Sequence, residues 1–151
     1  MKHIFITLVI VLFATLLCGS TAIDFKFKTF DNKSHKLSEY KTPIVLNWWA
    51  VWCPYCISEL STINSLYPDY SDKITIISLA VDFDGNPKNF VEKHKYPWIF
   101  GYSSEAHSIY NISAIPVTIF INKNGEIINR YEGELSKQQL KQYLDNLIKN
   151  S

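Results

Sequence analysis

Cys53 and Cys56 are the residues of this sequence best placed for covalent chemistry. They sit in Trp52-Cys53-Pro54-Tyr55-Cys56, directly after the apolar and aromatic run Val45-Leu-Asn-Trp-Trp-Ala50. Beyond them the pattern changes, and Ile57, Leu60, Ile63 and Tyr67 recur at helical spacing. Two thiols at the point where a buried strand feeds a helix are placed for reversible disulfide exchange. Exchange needs a thiolate, and a free cysteine is mostly protonated at neutral pH. A helix N-terminus offers unpaired N–H groups and the positive end of the helix dipole, and both favour the anion. Cys53 holds that position and is assigned as nucleophile. Cys56, one turn further in, is the more buried, resolving thiol. Pro54 fits the first helical position, where its missing N–H costs nothing.

This spacing has two other readings. Cys-x-x-Cys is half of a tetrahedral zinc site, which needs two further ligands, usually closely paired. His35, His94 and His107 are scattered singly and no second cysteine pair exists, so no metal is assigned. The second alternative is an inert structural disulfide. The third cysteine, Cys18, belongs to a different kind of segment. Lys2 and His3 precede an apolar run over residues 4–17, the pattern of a secretory signal. Ser20-Thr21-Ala22 provides small residues for cleavage after Ala22. An uncleaved anchor fits the same residues, since no charge occurs between His3 and Asp24 and roughly 20 residues span a bilayer. A lipid-modified Cys18 is a third version, although Leu17 is larger than the residue normally found before such a cysteine. Residues 1–22 therefore read as a signal peptide or N-terminal membrane anchor, and residues 23–151 as the folded domain. Each version delivers that domain outside the cytoplasm, where Cys53 and Cys56 are its thiols. Two cysteines are too few for a disulfide scaffold.

The totals suit one domain with a packed core: 151 residues, 47% of them apolar. Fifteen basic residues against 14 acidic ones give a formal charge of +1, so there is no electrostatic case for a nucleic-acid partner. Phe25 to Phe30 alternates like a half-buried strand, Asp31-Asn32-Lys33 reads as a turn, and His35 to Leu37 as a short returning strand. Ser38 to Tyr40 suits one helical turn. Pro43 to Trp49 is a continuous apolar run, as expected for a strand covered on both faces. The helix after Cys53 is expected to end at Pro68, and Ile74 to Val81 forms another buried strand. Asn86 caps a helix opened by Pro87, with Phe90, Val91 and His94 on its inner face. Trp98 to Phe100 is a short strand and Ser104 to Tyr110 a short helix. Asn124-Gly125 joins the strand Val117 to Ile121 to an antiparallel return over Glu126 to Tyr131. Ser136-Lys-Gln-Gln139 is a capping box opening an amphipathic last helix. Strand–helix–strand units give a parallel core, and the late hairpin adds antiparallel strands at one side. The fold class is α/β, a mixed sheet with helices on both faces.

The run from Val45 to Cys56 resembles the active-site strand and motif of the thioredoxin superfamily. Trp49 to Cys56 is most similar to its TlpA/ResA/DsbE branch of extracytoplasmic, membrane-associated thiol–disulfide oxidoreductases. The resemblance covers nearly all of residues 25–149 and implies a thioredoxin-like fold with an added N-terminal β-hairpin. It implies that Pro116 is the family's cis-proline beside the dithiol. Ile115 would then present a free backbone edge on which a substrate segment pairs, with Tyr55 as a second substrate contact and Trp52 and Pro54 as supporting residues. It further implies that Glu59 is a buried acid that exchanges a proton with Cys56. Asn47 departs from the superfamily pattern, standing where cytoplasmic thioredoxins hold a titrating aspartate. No cofactor is implied beyond the redox-active Cys53–Cys56 disulfide. The implied partners are thiols or disulfides of exported proteins, including apocytochrome c, and a membrane electron relay. The same residues would also serve a disulfide oxidant or isomerase, or a non-catalytic binding module for unfolded or cysteine-containing segments.

Overall fold

The structure is a computed structural model that describes residues 20–151. The reading of residues 1–22 as signal or anchor lies, except for its last three residues, outside the described residues. The elements run β1 (Lys26–Thr29), β2 (Ser34–Lys36), β3 (Ile44–Trp49), α1 (Pro54–Tyr70), β4 (Thr75–Ala80), α2 (Pro87–His94), β5 (Ile99–Tyr102), α3 (Ser104–Ile109), β6 (Val117–Ile121), β7 (Ile127–Glu132) and α4 (Lys137–Lys149). A single 3-10 turn, Leu37–Glu39, follows β2. All strands join one sheet in the order β2-β1-β5-β4-β3-β6-β7.

The centre of the sheet is parallel, with β4 between β3 and β5. Such strands are covered on both faces, which is why β3 is buried at all six positions. Antiparallel strands close both edges rather than one. The β6–β7 hairpin pairs with β3 on one side, and the N-terminal hairpin pairs with β5 through β1 on the other. That second junction depends on Gly101. A Cβ there would lie 2.3 Å from the Lys28 carbonyl oxygen, so any side chain would push β1 off the sheet.

Alternation along β3 divides the core. Val45 and Trp49 face one layer with α1, α4 and the half-buried face of α2. Leu46 and Trp48 face the other, with α3, Phe25 and Phe27. Three expectations are corrected in detail. Helix α1 runs through Pro68 to Tyr70. The proline removes one backbone donor, but Leu66 and Tyr70 are buried, the Tyr70 hydroxyl donates to Asp145 (2.6 Å), and the last turn stays docked on α4. The buried face of α1 carries Cys56, Glu59, Leu60, Ile63, Leu66 and Tyr70, leaving Ile57 and Tyr67 at its margin. His94 is exposed and stacks on Phe90 at 4.1 Å instead of pointing inward.

Ser20 to Ala22 lie against the late hairpin. Ala22 N–H donates to Gly125 O (2.7 Å) and Ile127 N–H to Ser20 O (2.8 Å). Ile121 pairs with Ile44 and Val117 with Trp48. The chain therefore enters the domain at the end of β3 remote from Cys53.

Candidate active site

Strand β3 ends at Trp49 and α1 begins at Pro54, so residues 50–53 form the turn that presents the dithiol. Cys53 is the N-cap of α1, and its sulfur accepts a hydrogen bond from the Cys56 N–H (3.1 Å). This is one of the unpaired donors at the helix start, aimed at the atom that would carry thiolate charge. Pro54 follows at the first helical position, and its fixed φ suits that turn. Cys53 and Cys56 are joined as a disulfide with Cα atoms 5.2 Å apart.

Both sulfurs are recessed: Cys53 is 4% exposed and Cys56 1%. Around them stand Trp52 (59% exposed) and Tyr55 (65% exposed). The Trp52 indole is pinned by its N–H donating to Asp82 Oδ2 (2.8 Å). On the far side, Cys53 Sγ lies 4.0 Å from the Ile115 carbonyl oxygen, and the Ile115–Pro116 peptide is cis. Pro116 is buried and Ile115 half-buried. The dithiol, Tyr55, Trp52, Ile115 and Pro116 thus share one end of the sheet although more than 50 residues separate the two groups.

Glu59 is 0% exposed. It lies three residues after Cys56, and both side chains sit on the buried face of α1, where residues at this spacing are neighbours. Its Oε1 accepts from the Thr118 hydroxyl (2.5 Å) and from Asn47 Nδ2 (3.2 Å), and its Oε2 accepts from the Leu135 N–H (2.9 Å). Asn47 Nδ2 also donates to Thr118 Oγ1 (3.1 Å). Burial pushes the Glu59 carboxyl up. The bonds from Thr118 and Leu135 pull it part of the way back, and the Glu134 charge adds to the rise. Such a group can hold or release a proton beside a thiol.

Comparison with known proteins agrees with this geometry. The profile of the AhpC/TSA family matches residues 18–130. The thiol-disulfide oxidoreductase ResA of Geobacillus thermodenitrificans is 32% identical over 136 residues, covering 85% of this chain and 77% of that protein. The chain belongs to the ResA thiol-disulfide oxidoreductases, within the AhpC/TSA family. StoA from Bacillus subtilis superposes with a TM-score of 0.68 at 25% identity, over 80% of this chain and 96% of StoA. A thioredoxin-family thiol:disulfide interchange protein from Chlorobium tepidum gives 0.76 at 21% identity, over 86% and 97%; it supports the thioredoxin-like fold with its N-terminal strands. The chain is therefore an enzyme of thiol–disulfide exchange.

In this ResA-type chain the structure adds four residues to the site that motif reasoning did not find. Asp82 orients Trp52. Thr118 and the Leu135 N–H bind Glu59. Gly133, at φ +110°, donates its N–H to the Pro116 carbonyl (2.8 Å). The β7–α4 loop therefore braces the cis-proline and the buried acid together. Thr118 carried a usable signal, being a hydroxyl one alternation after Pro116 in an otherwise apolar strand. The backbone donors of Gly133 and Leu135 carried none.

Proposed function

We propose that this chain works outside the cytoplasm and reduces disulfides of exported proteins through Cys53 and Cys56. The single observation that carries the chemistry is the placement of Cys53 Sγ, which caps α1, receives the Cys56 N–H and faces Ile115. The Cys53 thiolate attacks one sulfur of the partner disulfide. That S–S bond breaks, one partner thiolate leaves, and a mixed disulfide forms. Glu59 takes the Cys56 proton. The Cys56 thiolate then attacks Cys53 Sγ, re-forms the Cys53–Cys56 bond and expels the second partner thiolate. Two electrons pass from the dithiol to the partner. An extended substrate segment pairs along the Ile115 edge beside Pro116, with Tyr55 and Trp52 as its exposed neighbours, and needs no cofactor besides the dithiol.

The apolar segment over residues 4–17 supports the location, whether it is cleaved or retained as an anchor. A retained anchor would leave the domain at the Ser20–Ala22 end and hold the dithiol away from the membrane surface. The redox-active pair is then recharged by a membrane electron relay, and apocytochrome c is one fitting substrate class, since haem attachment needs reduced thiols. Insulin reduction by dithiothreitol tests the exchange activity, which is expected to be lost in Cys53→Ser; retained activity would refute the mechanism. The Cys53–Cys56 reduction potential tests the direction. A value near roughly −270 mV fits a reductase, whereas one near about −120 mV would make the chain an oxidant.

A further inference from the structure

Burial disfavours the charged form of Glu59, but its hydrogen-bond partners suit that form. Thr118 Oγ1–H and Asn47 Nδ2 donate to Oε1, and the Leu135 N–H donates to Oε2. Once the carboxyl has taken up a proton it must donate it to an acceptor, or leave a buried donor unpaired. The Leu135 N–H and the Asn47 amide nitrogen are donors only. Among the described residues bonded to Glu59, the Thr118 hydroxyl is the one group that can act in either sense without turning a side chain over.

We propose that Thr118 is a positioning residue of the exchange reaction, its hydroxyl reversing the hydrogen bond to Glu59 as the carboxyl gains and loses the Cys56 proton. The inference rests on the proposed proton transfer between Cys56 and Glu59. In that step the Cys56 S–H bond breaks, the electron pair stays on sulfur, and an O–H bond forms on Glu59; nothing is oxidised. With Glu59 ionised, Thr118 donates to Oε1. With Glu59 protonated, Oε1–H donates to Thr118 Oγ1, which already lies 2.5 Å away. The Thr118 hydrogen then needs an acceptor of its own. Asn47 Oδ1 is buried and without a partner among the described residues. A half-turn of that amide would bring it to the place of Nδ2, 3.1 Å from Thr118 Oγ1, exchanging one unpartnered group for another.

Register explains why these groups meet. Asn47 pairs with Thr118 across β3 and β6, so both side chains project from the same face, towards α1. The charged and titratable groups acting on Glu59 are few. Its own helix supplies Cys56, the β7–α4 loop supplies Glu134, β3 and β6 supply the neutral Asn47 and Thr118, and α4 packs with leucines. The Thr118 bond is thus a main counterweight to burial at this carboxyl.

The test uses reduced protein and the small disulfide 5,5′-dithiobis(2-nitrobenzoate) in single-turnover stopped flow between pH 5 and 10. The first chromophore is released by Cys53 attack and the second by Cys56 resolution. Thr118→Val keeps the shape and removes the hydroxyl. Its second phase is expected to move its pH midpoint upward by about one unit, the effect of one lost hydrogen bond to a charged group. Thr118→Ser is expected to restore the original midpoint. A Thr118→Val midpoint equal to the parent, or a Thr118→Ser midpoint displaced like that of Thr118→Val, would overturn the proposal. Thr118→Ala serves the same comparison if the valine variant does not fold. Glu59→Gln separates the two levels. If it leaves the second phase unaltered, the Glu59 reading itself fails. If it abolishes the pH dependence while Thr118→Val does nothing, Thr118 alone is wrongly assigned.

Discussion

Glu59→Gln offers a thermodynamic check on the buried acid that is independent of catalysis. Burial raises the folded-state pKa of this carboxyl above its ordinary value of 4.5. The folded chain therefore holds its proton to higher pH than the unfolded chain does. The stability gained in this way is fully present below the unfolded pKa and is lost as pH rises through the folded pKa. Between those two values the folded state binds up to one extra proton, so unfolding free energy falls by up to about 1.4 kcal/mol per pH unit from this group alone. Glutamine cannot titrate, so its variant lacks this component of the slope. Its absolute stability also changes, because an amide cannot accept from Thr118, Asn47 and Leu135 at once, a loss of about 1 kcal/mol per bond. The informative quantity is hence the difference in slope. It is read from urea unfolding at a series of pH values from 4 to 9, with the Cys53–Cys56 disulfide kept closed so that neither thiol titrates. Stability curves of the two proteins that run parallel across the whole range would refute a raised pKa at Glu59 and the proton-handling role with it.

Three further outcomes follow from other parts of the structure. Gly101→Ala places a methyl group against the Lys28 carbonyl; it is expected to cost about 3 kcal/mol, the upper end of overpacking effects, and to expose the N-terminal hairpin to limited proteolysis. Asp82→Ala removes the acceptor of the Trp52 indole, with an expected shift in tryptophan emission and a roughly fivefold rise in KM for a protein disulfide, equivalent to about 1 kcal/mol for one exposed hydrogen bond; an unchanged KM would show that Trp52 needs no fixing. Ser136→Ala breaks the observed capping box of α4 and should lower unfolding free energy by about 1 kcal/mol, measurable by denaturant unfolding.

The dithiol and its elements were legible from local pattern. Cys53 and Cys56 stand at a change from continuous apolar residues to helical spacing, and a strand leading into a helix at that point needs no long-range information. The capping boundaries at Asn86 and Ser136 were equally local, because N-cap side chains bond donors two or three residues away. Pro68 misled for a related reason: local propensity disfavours helix there, and what outweighs it is tertiary, the burial of Leu66 and Tyr70 together with the Tyr70 bond to Asp145 on α4. Glu59 as a buried acid and Pro116 as a cis-proline were accessible through resemblance, since a helix position or an X–Pro pair does not announce burial or isomer by itself.

Tertiary structure decided which groups meet. The N-terminal hairpin could pair with any free edge, and Gly101 admits it to β5. The pairing of Asn47 with Thr118 depends on β6 running antiparallel beside β3, a consequence of topology that neither strand's composition encodes. The backbone donors of Gly133 and Leu135 have no identity in a sequence at all, since every residue except proline carries the same N–H. Amino-acid type thus named the chemistry at Cys53 and Cys56, while the environment that tunes it, around Glu59, came from strands and a loop brought together across as many as 76 residues.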